Sequence, residues 1–397
     1  MVNEKMRGLG ACRSVIRELF EYGKKRKAEI GAENVFDFSI GNPSVPSPDV
    51  VNETLMGLLR ERDAVSLHGY TSAQGDADVR RAIADYVASM HGATVDPNLI
   101  YLTVGAAASL TVSLTALLEA GDEVILLAPF FPEYRVFVER TGAVAVPVLC
   151  NTKTFQPDLA ALRAAITEKT RAIIVNSPNN PTGAVLTRES IEGLASVLEE
   201  ASAANGAPIY LIADEPYREL VYGGVEVPYL PHFYRNTLVC YSFSKSLSLP
   251  GERIGYILVS PQADNAVAVY QAVCGAGRAL GFVCAPALFQ YMIPSVLGMT
   301  SDISIYDRNR RLLYDALTEY GYEAVKPDGA FYLFVKALEE DANAFCERAK
   351  QYELLLVPSD SFGCPGYVRI SYCVTTEQIQ KSLPAFKSLA ESYQAEK

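Results

Sequence analysis

YSFSKSLSLPGERIG, residues 241–255, decides how the rest of the chain is read. The residues leading into it, Thr237–Tyr241, are apolar and β-branched, and they predict a buried strand. Lys245 then stands just past the C-terminal end of that strand. Partial burial there disfavours the ammonium form. A neutral amine beside Ser242, Ser244 and Arg253 suits a Schiff base with an aldehyde cofactor whose phosphate needs anion donors. An exposed lysine in a serine-rich turn explains the stretch equally well, so the remaining sequence has to decide.

S-F-S-K followed by P-G-x-R-x-G resembles the lysine motif of the class I/II aminotransferases, enzymes of fold-type I that use pyridoxal phosphate (PLP). The resemblance implies that Lys245 carries the cofactor as a Schiff base and that Ser242 and Arg253 hold its phosphate. It also implies a homodimer whose active sites are shared across the interface.

Composition sets wider bounds. The chain has 397 residues, 49% of them hydrophobic, which is enough for a large core and long enough to expect two domains. A formal net charge of -11 argues against nucleic acid and anionic membranes as partners. The eight cysteines form no C-x-x-C pair and no metal-ligand spacing, so a cytoplasmic enzyme with reduced thiols and no metal is expected. Three histidines, His68, His91 and His232, leave little material for a histidine-centred triad. The N-terminal residues mix acids and bases and do not read as a signal or transit peptide. Ser14–Arg26 has the spacing of an amphipathic helix. No stretch is long and apolar enough to span a bilayer.

Along the chain, successive apolar runs end in special residues. Phe36–Ile40 predicts a short strand ending at Gly41-Asn42-Pro43, and the extended link Pro43–Pro48 is where the first domain crossing is expected. Val50–Leu59 predicts a helix, and the small polar loop Gly69–Gly75 carries Tyr70. Leu99–Val104 runs into Gly105-Ala106-Ala107-Ala108 and then a helix from Ser109, an order that presents free amides to an anion. Glu123–Leu127 is followed by Phe130 and Phe131 between Pro129 and Pro132, a rigid aromatic wall. Pro147 within Val144–Leu149 predicts a sheet edge. Arg171–Val175 leads to Asn-Asn-Pro-Thr-Gly with Asn180, and Pro208–Ile212 leads to Asp214, with Tyr217 three residues on. An aspartate closing an apolar strand is costly unless paired. The candidates for its partner are a pyridine nitrogen, a strand-end cap or a salt bridge. In an open α/β sheet, ligands bind outside the carboxyl ends of the strands, and five such ends here carry an anion cradle, a ring wall, an amide, a carboxylate and an amine.

Gly275-x-Gly277-x-x-x-Gly281 resembles a dinucleotide fingerprint, with one residue too many between its later glycines. The helical character of Ala263–Val273 removes the strand–turn–helix context that NAD binding requires. Beyond Pro286 the pattern changes to helices (Ala287–Leu297, Ile303–Tyr320), strands (Phe331–Val335, Leu354–Val357, Val368–Ser371) and a C-terminal helix from Thr376, an α+β unit. Arg369 lies on one of these strands in apolar surroundings and needs an anion, either a substrate or an internal carboxylate.

The resemblance runs in the family's order from Gly41 to Arg369. It implies that Gly41 lies beside the substrate carboxylate and that Tyr70 reaches the phosphate of the neighbouring subunit. Gly105 and the amides of Ala106 and Ala107 would cradle the phosphate, and Phe131 would stack on the ring. Asn180 and Tyr217 would bond its phenolic oxygen, Asp214 would pair with the pyridine nitrogen, and Arg369 would hold the α-carboxylate. Arg278, in the glycine-rich loop V-C-G-A-G-R-A-L-G, corresponds to an arginine that in aspartate aminotransferases crosses from the other subunit to the side-chain carboxylate. One departure stands out: the family's V-x-P-G turn has Ser359 in place of glycine.

The expected fold is therefore α/β, a PLP-dependent transferase of fold-type I. It has a large domain, residues 46–286, with a mostly parallel sheet flanked by helices, and a smaller α+β domain built from residues 1–45 and 287–397. The expected activity is transfer of the amino group of an L-amino acid to a 2-oxo acid such as 2-oxoglutarate, with aspartate and glutamate as favoured donors. The alternatives are an aromatic or broad-range aminotransferase, and a C–S β-lyase of the same fold, which releases ammonia and pyruvate without an acceptor. A regulator carrying an aminotransferase-like domain would need a DNA-binding module, for which the residues before Gly41 leave too little room.

Overall fold

The computed structural model describes residues 1–11 and 15–395. Its strands, in chain order, are β1 (Phe36–Asp37), β2 (Ile100–Thr103), β3 (Glu123–Ala128), β4 (Val144–Leu149), β5 (Thr170–Asn176), β6 (Tyr210–Asp214), β7 (Thr237–Ser242), β8 (Gly255–Val259), β9 (Tyr332–Lys336), β10 (Leu354–Leu355), β11 (Val357–Pro358) and β12 (Tyr367–Ser371).

Seven of them form the main sheet in the order β2-β8-β7-β6-β5-β3-β4. The pairs from β4 through β3, β5 and β6 to β7 are parallel, and β8 alone runs against its neighbours. The inner strands are buried along almost their whole length because helices cover both faces, which is why they read as continuous apolar runs. The expected edge at Pro147 is observed, since β4 closes the sheet and its outer side is half-exposed.

A second core, rich in tyrosine and phenylalanine, lies around the antiparallel sheet β11-β12-β9. The N-terminal segment joins it, because β1 pairs in parallel with β10. The expected strand Phe36–Ile40 is cut to two residues. Asp37 Oδ1 accepts from Ser39 N at 3.1 Å and from Ser39 Oγ at 2.6 Å, a local turn that ends the ladder. The expected amphipathic helix is Val15–Ile30, and Ser14 lies outside the described residues.

The largest correction concerns Arg278. The glycine-rich stretch is not a loop but part of the helix Ala266–Leu280, and Arg278 sits exposed in its last turn. Gly277 is there for contact rather than flexibility. A Cβ on it would lie 2.2 Å from the Tyr101 hydroxyl of β2, which donates to the Phe282 carbonyl at 2.8 Å. Ser359 needs no glycine, since its φ is -92°, and its hydroxyl donates to Cys364 O at 2.6 Å and accepts from Tyr367 N at 2.9 Å.

Where the two cores meet, Gly183 has φ +71°, and its carbonyl accepts from Asp328 N and Gly329 N, each at 2.9 Å. A Cβ there would lie 2.5 Å from Pro327 Cβ and 2.8 Å from the Tyr332 carbonyl. Gly183→Ala is expected to cost about 2–4 kcal/mol from crowding plus backbone strain. Gly206→Ala, at φ +64° with open space around it, should cost only about 1 kcal/mol. Urea unfolding midpoints of the two variants check the difference.

Candidate active site

The carboxyl ends of β5, β6 and β7, the turn after β2 and the middle of β12 all open into one cavity of about 390 Å³. Each of its polar side chains is placed by a local structural reason.

After β7 the chain makes one helical turn, Phe243–Ser246, with Ser242 as its N-cap. That turn points Lys245 into the cavity, where Nζ donates to the Gly41 carbonyl at 2.7 Å and lies 5.5 Å from the Phe331 ring centre. Burial pushes the amine down to about 8; Cys373 opposes this shift, and Arg369 and Arg253 add to it. The exposed-turn reading of Lys245 is thereby excluded.

Asp214 is the last residue of β6. The Tyr134 hydroxyl donates to its Oδ2, while its Oδ1 is buried with no partner among the described residues. Asn176, at the end of β5, donates to the Asp214 carbonyl at 2.8 Å and accepts from Asn180 N at 2.7 Å, so the two strand ends are locked together. Burial pushes the Asp214 carboxyl up to about 7; the Tyr134 bond pulls it down, and Glu215 pushes it up. Glu215 itself is bound by Arg218 through two contacts of 2.6 Å, so the salt bridge of this region belongs to Glu215 and not to Asp214.

Arg369 is 2% exposed. It donates from Nη1 to Asn180 Oδ1 at 3.1 Å and from Nη2 to the Ser39 carbonyl at 2.6 Å, and its Nε has no partner. Among the described residues no carboxylate forms an ion pair with it, which removes the internal-carboxylate reading. A buried guanidinium left in this state is a site for an anion. Beside it, the Tyr217 and Tyr332 hydroxyls are 2.9 Å apart, and a Cβ on Gly41 would lie 2.0 Å from the Tyr332 oxygen. Glycine at 41 is thus what lets the backbone approach.

At the other end, Gly105 (φ +90°) precedes the twelve-residue helix Ala106–Leu117. The amides of Ala108 and Ser109 bond the Gly105 carbonyl, whereas those of Ala106 and Ala107, two residues that line the cavity, have no acceptor among the described residues. Arg253 lies against them: its Nη2 would be 2.9 Å from a Cβ on Gly105, and its Nη1 donates to Ser244 Oγ at 3.4 Å. Ser242 and Ser244 hydroxyls are 2.8 Å apart. A helix N-terminus, a guanidinium and two hydroxyls make an anion site. Phe131 lines the wall between these groups, edge-on to Tyr134 at 5.7 Å.

Two expected residues are elsewhere. Tyr70 is 96% exposed, and neither it nor Arg278 lines this chain's cavity. Sequence reasoning missed Tyr134, Asn176 and Tyr332, and also Ile16, Arg17 and Phe137 on the rim. Only Asn176 had a signal, as the polar residue directly after an apolar run.

The donor set fits PLP. An unpartnered buried carboxylate oxygen suits a protonated pyridine nitrogen, the helix N-terminus suits a phosphate, and the Lys245 amine lines the same cavity.

Residues 33–386 match the family described as aminotransferase class I and II. The aspartate aminotransferase of Thermotoga maritima is 30% identical over 384 residues, covering 95% of this chain and 97% of that protein. A solved amino transferase from Eubacterium rectale superposes with a TM-score of 0.97 at 56% identity, over 99% of both chains. A Thermus thermophilus aspartate aminotransferase solved with maleate superposes with a TM-score of 0.84 at 29% identity, over 96% of this chain and 98% of that one. The chain belongs to the class I and II aminotransferases, which use PLP.

In cofactor-free protein, burial pushes the Asp214 carboxyl up from the ordinary value of 3.8, which the unfolded chain keeps, to about 7. The folded state holds the extra proton between those values, so this group lowers stability as pH rises from about 4 to 7 and costs most above 7. Asp214→Asn should therefore match wild type near pH 4 and exceed it by on the order of 4 kcal/mol at pH 8. Urea unfolding at the two pH values tests this.

Proposed function

We propose, with membership of the class I and II aminotransferases as the premise, that this enzyme moves the amino group of an L-amino acid to 2-oxoglutarate, with aspartate and glutamate as preferred donors. The observation that carries the reading is Arg369, a buried guanidinium with no carboxylate partner among the described residues, facing the same cavity as Lys245. One end of the cavity suits the α-carboxylate of an amino acid, and the other suits a phosphate.

Bound PLP supplies an electron sink for the carbanion formed at the substrate's α-carbon. Lys245 would hold the cofactor covalently, and its Nζ would take and return the substrate's α-proton. An amine with a pKa of about 8 has a substantial neutral fraction near pH 7.5, where an ordinary lysine has almost none. Asp214, with Oδ2 occupied by Tyr134, has Oδ1 left for the ring nitrogen's proton. Asn180 and Tyr217 would meet the phenolic oxygen, and Phe131 would cover a ring face. Gly105, the Ala106 and Ala107 amides, Ser242 and Arg253 would hold the phosphate. Arg369 orients the α-carboxylate, and Gly41 leaves room beside it.

The same reading includes a large unit, residues 46–286, with a small one from residues 1–45 and 287–397 that carries Arg369. It also includes a cytoplasmic homodimer in which Tyr70, exposed here, reaches the other subunit's phosphate. The maleate found with the Thermus enzyme, a dicarboxylate, supports aspartate and glutamate as donors. A second reading, an aromatic or broad-range aminotransferase, is favoured by the apolar side of the cavity, formed by Ile16, Ile40, Leu110 and Phe137. The names of the matched relatives favour transfer over C–S lysis.

Lys245→Ala should lower turnover by about 10⁴-fold or more while leaving the unfolding midpoint unchanged or raised. In wild type, the rate at which PLP couples to cofactor-free protein should rise with pH through about 8 rather than above 10. Half-reactions with aspartate, glutamate, phenylalanine and alanine rank the donors. If Arg278 comes from a second copy to the side-chain carboxylate, Arg278→Leu should lower kcat/KM for aspartate about 10–100-fold and spare alanine. An equal effect on all donors places selection elsewhere.

A further inference from the structure

Four cationic side chains line the cavity: Lys245, Arg253, Arg369 and Arg17. The first three are committed within the fold. Lys245 donates to the Gly41 carbonyl, Arg253 to Ser244 and the Pro250 carbonyl, and Arg369 to Asn180 and the Ser39 carbonyl. Arg17 makes no hydrogen bond, ion pair or ring contact among the described residues, although it stands on the same cavity. From this we infer that Arg17 binds the distal carboxylate of a dicarboxylic substrate, an inference that rests on the aminotransferase reading for the identity of the proximal half of the site.

The position of Arg17 is set by packing. Leu19, two residues on, is buried against Val357 and Phe362, and Ile16 packs on the same cluster. The Phe362 ring lies 5.3 Å from the Arg369 guanidinium carbon. The helix bearing Arg17 is thus seated on the residue that supports the α-carboxylate site, and the two arginines share one frame. The same cavity has an apolar side, formed by Ile16, Ile40, Leu110 and Phe137. A substrate with an apolar side chain would contact that wall and leave Arg17 in water. One with a second carboxylate would meet the uncommitted cation.

Glu133 is the opposing charge on this rim. It is half-buried in the first turn of the helix Glu133–Arg140, and among the described residues no cation lies within ion-pair distance of it. Its charge is favoured by that helix N-terminus, so it does not neutralise Arg17, but it does repel an incoming anion. Arg17 is itself exposed, and its pairing therefore takes place in a solvent-screened setting. The expected contribution is about tenfold in affinity and dependent on salt, well short of the effect of a fully buried pair.

The test uses the PLP-loaded enzyme and titration calorimetry with succinate, a four-carbon dicarboxylate, and butyrate, its monocarboxylate counterpart. Arg17→Leu should weaken succinate about tenfold, leave butyrate within twofold, and abolish most of the excess salt dependence of succinate over butyrate. Arg17→Lys should keep most of the succinate affinity, and Glu133→Gln should tighten it. Succinate affinity unchanged in Arg17→Leu, or an equal loss for both ligands, overturns the assignment. So does a succinate loss that appears only in Arg278→Leu. The two readings fail separately. Arg17-dependent succinate binding in an enzyme that does not transaminate aspartate overturns the donor reading and keeps Arg17. Aspartate transamination untouched by Arg17→Leu does the reverse.

Discussion

A buried guanidinium with no acid to pair with is the constraint around which this molecule is arranged. Arg369 sits mid-strand, 2% exposed, near the Tyr332 and Phe362 rings, and among the described residues its hydrogen bonds go only to neutral oxygens. A charge held this way is expensive for the fold unless an anion arrives. The neutral oxygens come from Ser39 in the N-terminal segment and Asn180 after β5, so the one side chain draws together the two cores and the first strand. The packing of the two cores and the lining of the cavity therefore meet at one residue.

The other two buried ionisable groups of the cavity are displaced toward neutrality by the same burial. Lys245 is lowered to about 8 and Asp214 raised to about 7. Each has one contact that orients it, the Gly41 carbonyl and the Tyr134 hydroxyl respectively, and each retains capacity for a ligand. Behind them Glu215 is neutralised by Arg218. These ionisable groups are held at or just beyond the ends of adjacent parallel strands, where register sets their separation. The Asn176–Asp214 pairing of β5 with β6 is an instance.

Close backbone approach is the means of assembly. Gly105 admits Arg253, Gly41 admits Tyr332, Gly183 admits the segment before β9, and Gly255 lies where a Cβ would be 2.3 Å from the Tyr241 carbonyl. A side chain at any of these would hold the polar groups apart. The helix N-terminus after Gly105 illustrates the benefit, since two free amides and a guanidinium share one small volume.

Much of this was legible in the sequence. Apolar runs ending in Gly105, Asn180, Asp214 and Lys245 disclosed a mostly parallel sheet with a cavity at the carboxyl ends of its strands, because strand register and burial write themselves into local pattern. Pro147 marked the edge strand for the same local reason. Tertiary structure alone decided the partners. That Tyr134 bonds Asp214, that Tyr332 meets Tyr217, and that Arg369 reaches Asn180 and Ser39 are contacts across 80, 115, 189 and 330 residues, with no spacing to announce them. The glycines around Arg278 show the reverse failure. They imitate a flexible loop, yet Gly277 is small because Tyr101 of a distant strand fills the space a side chain would need, and the segment is a helix. Composition can say that a glycine is required, but only the packed neighbour says whether the reason is freedom or contact.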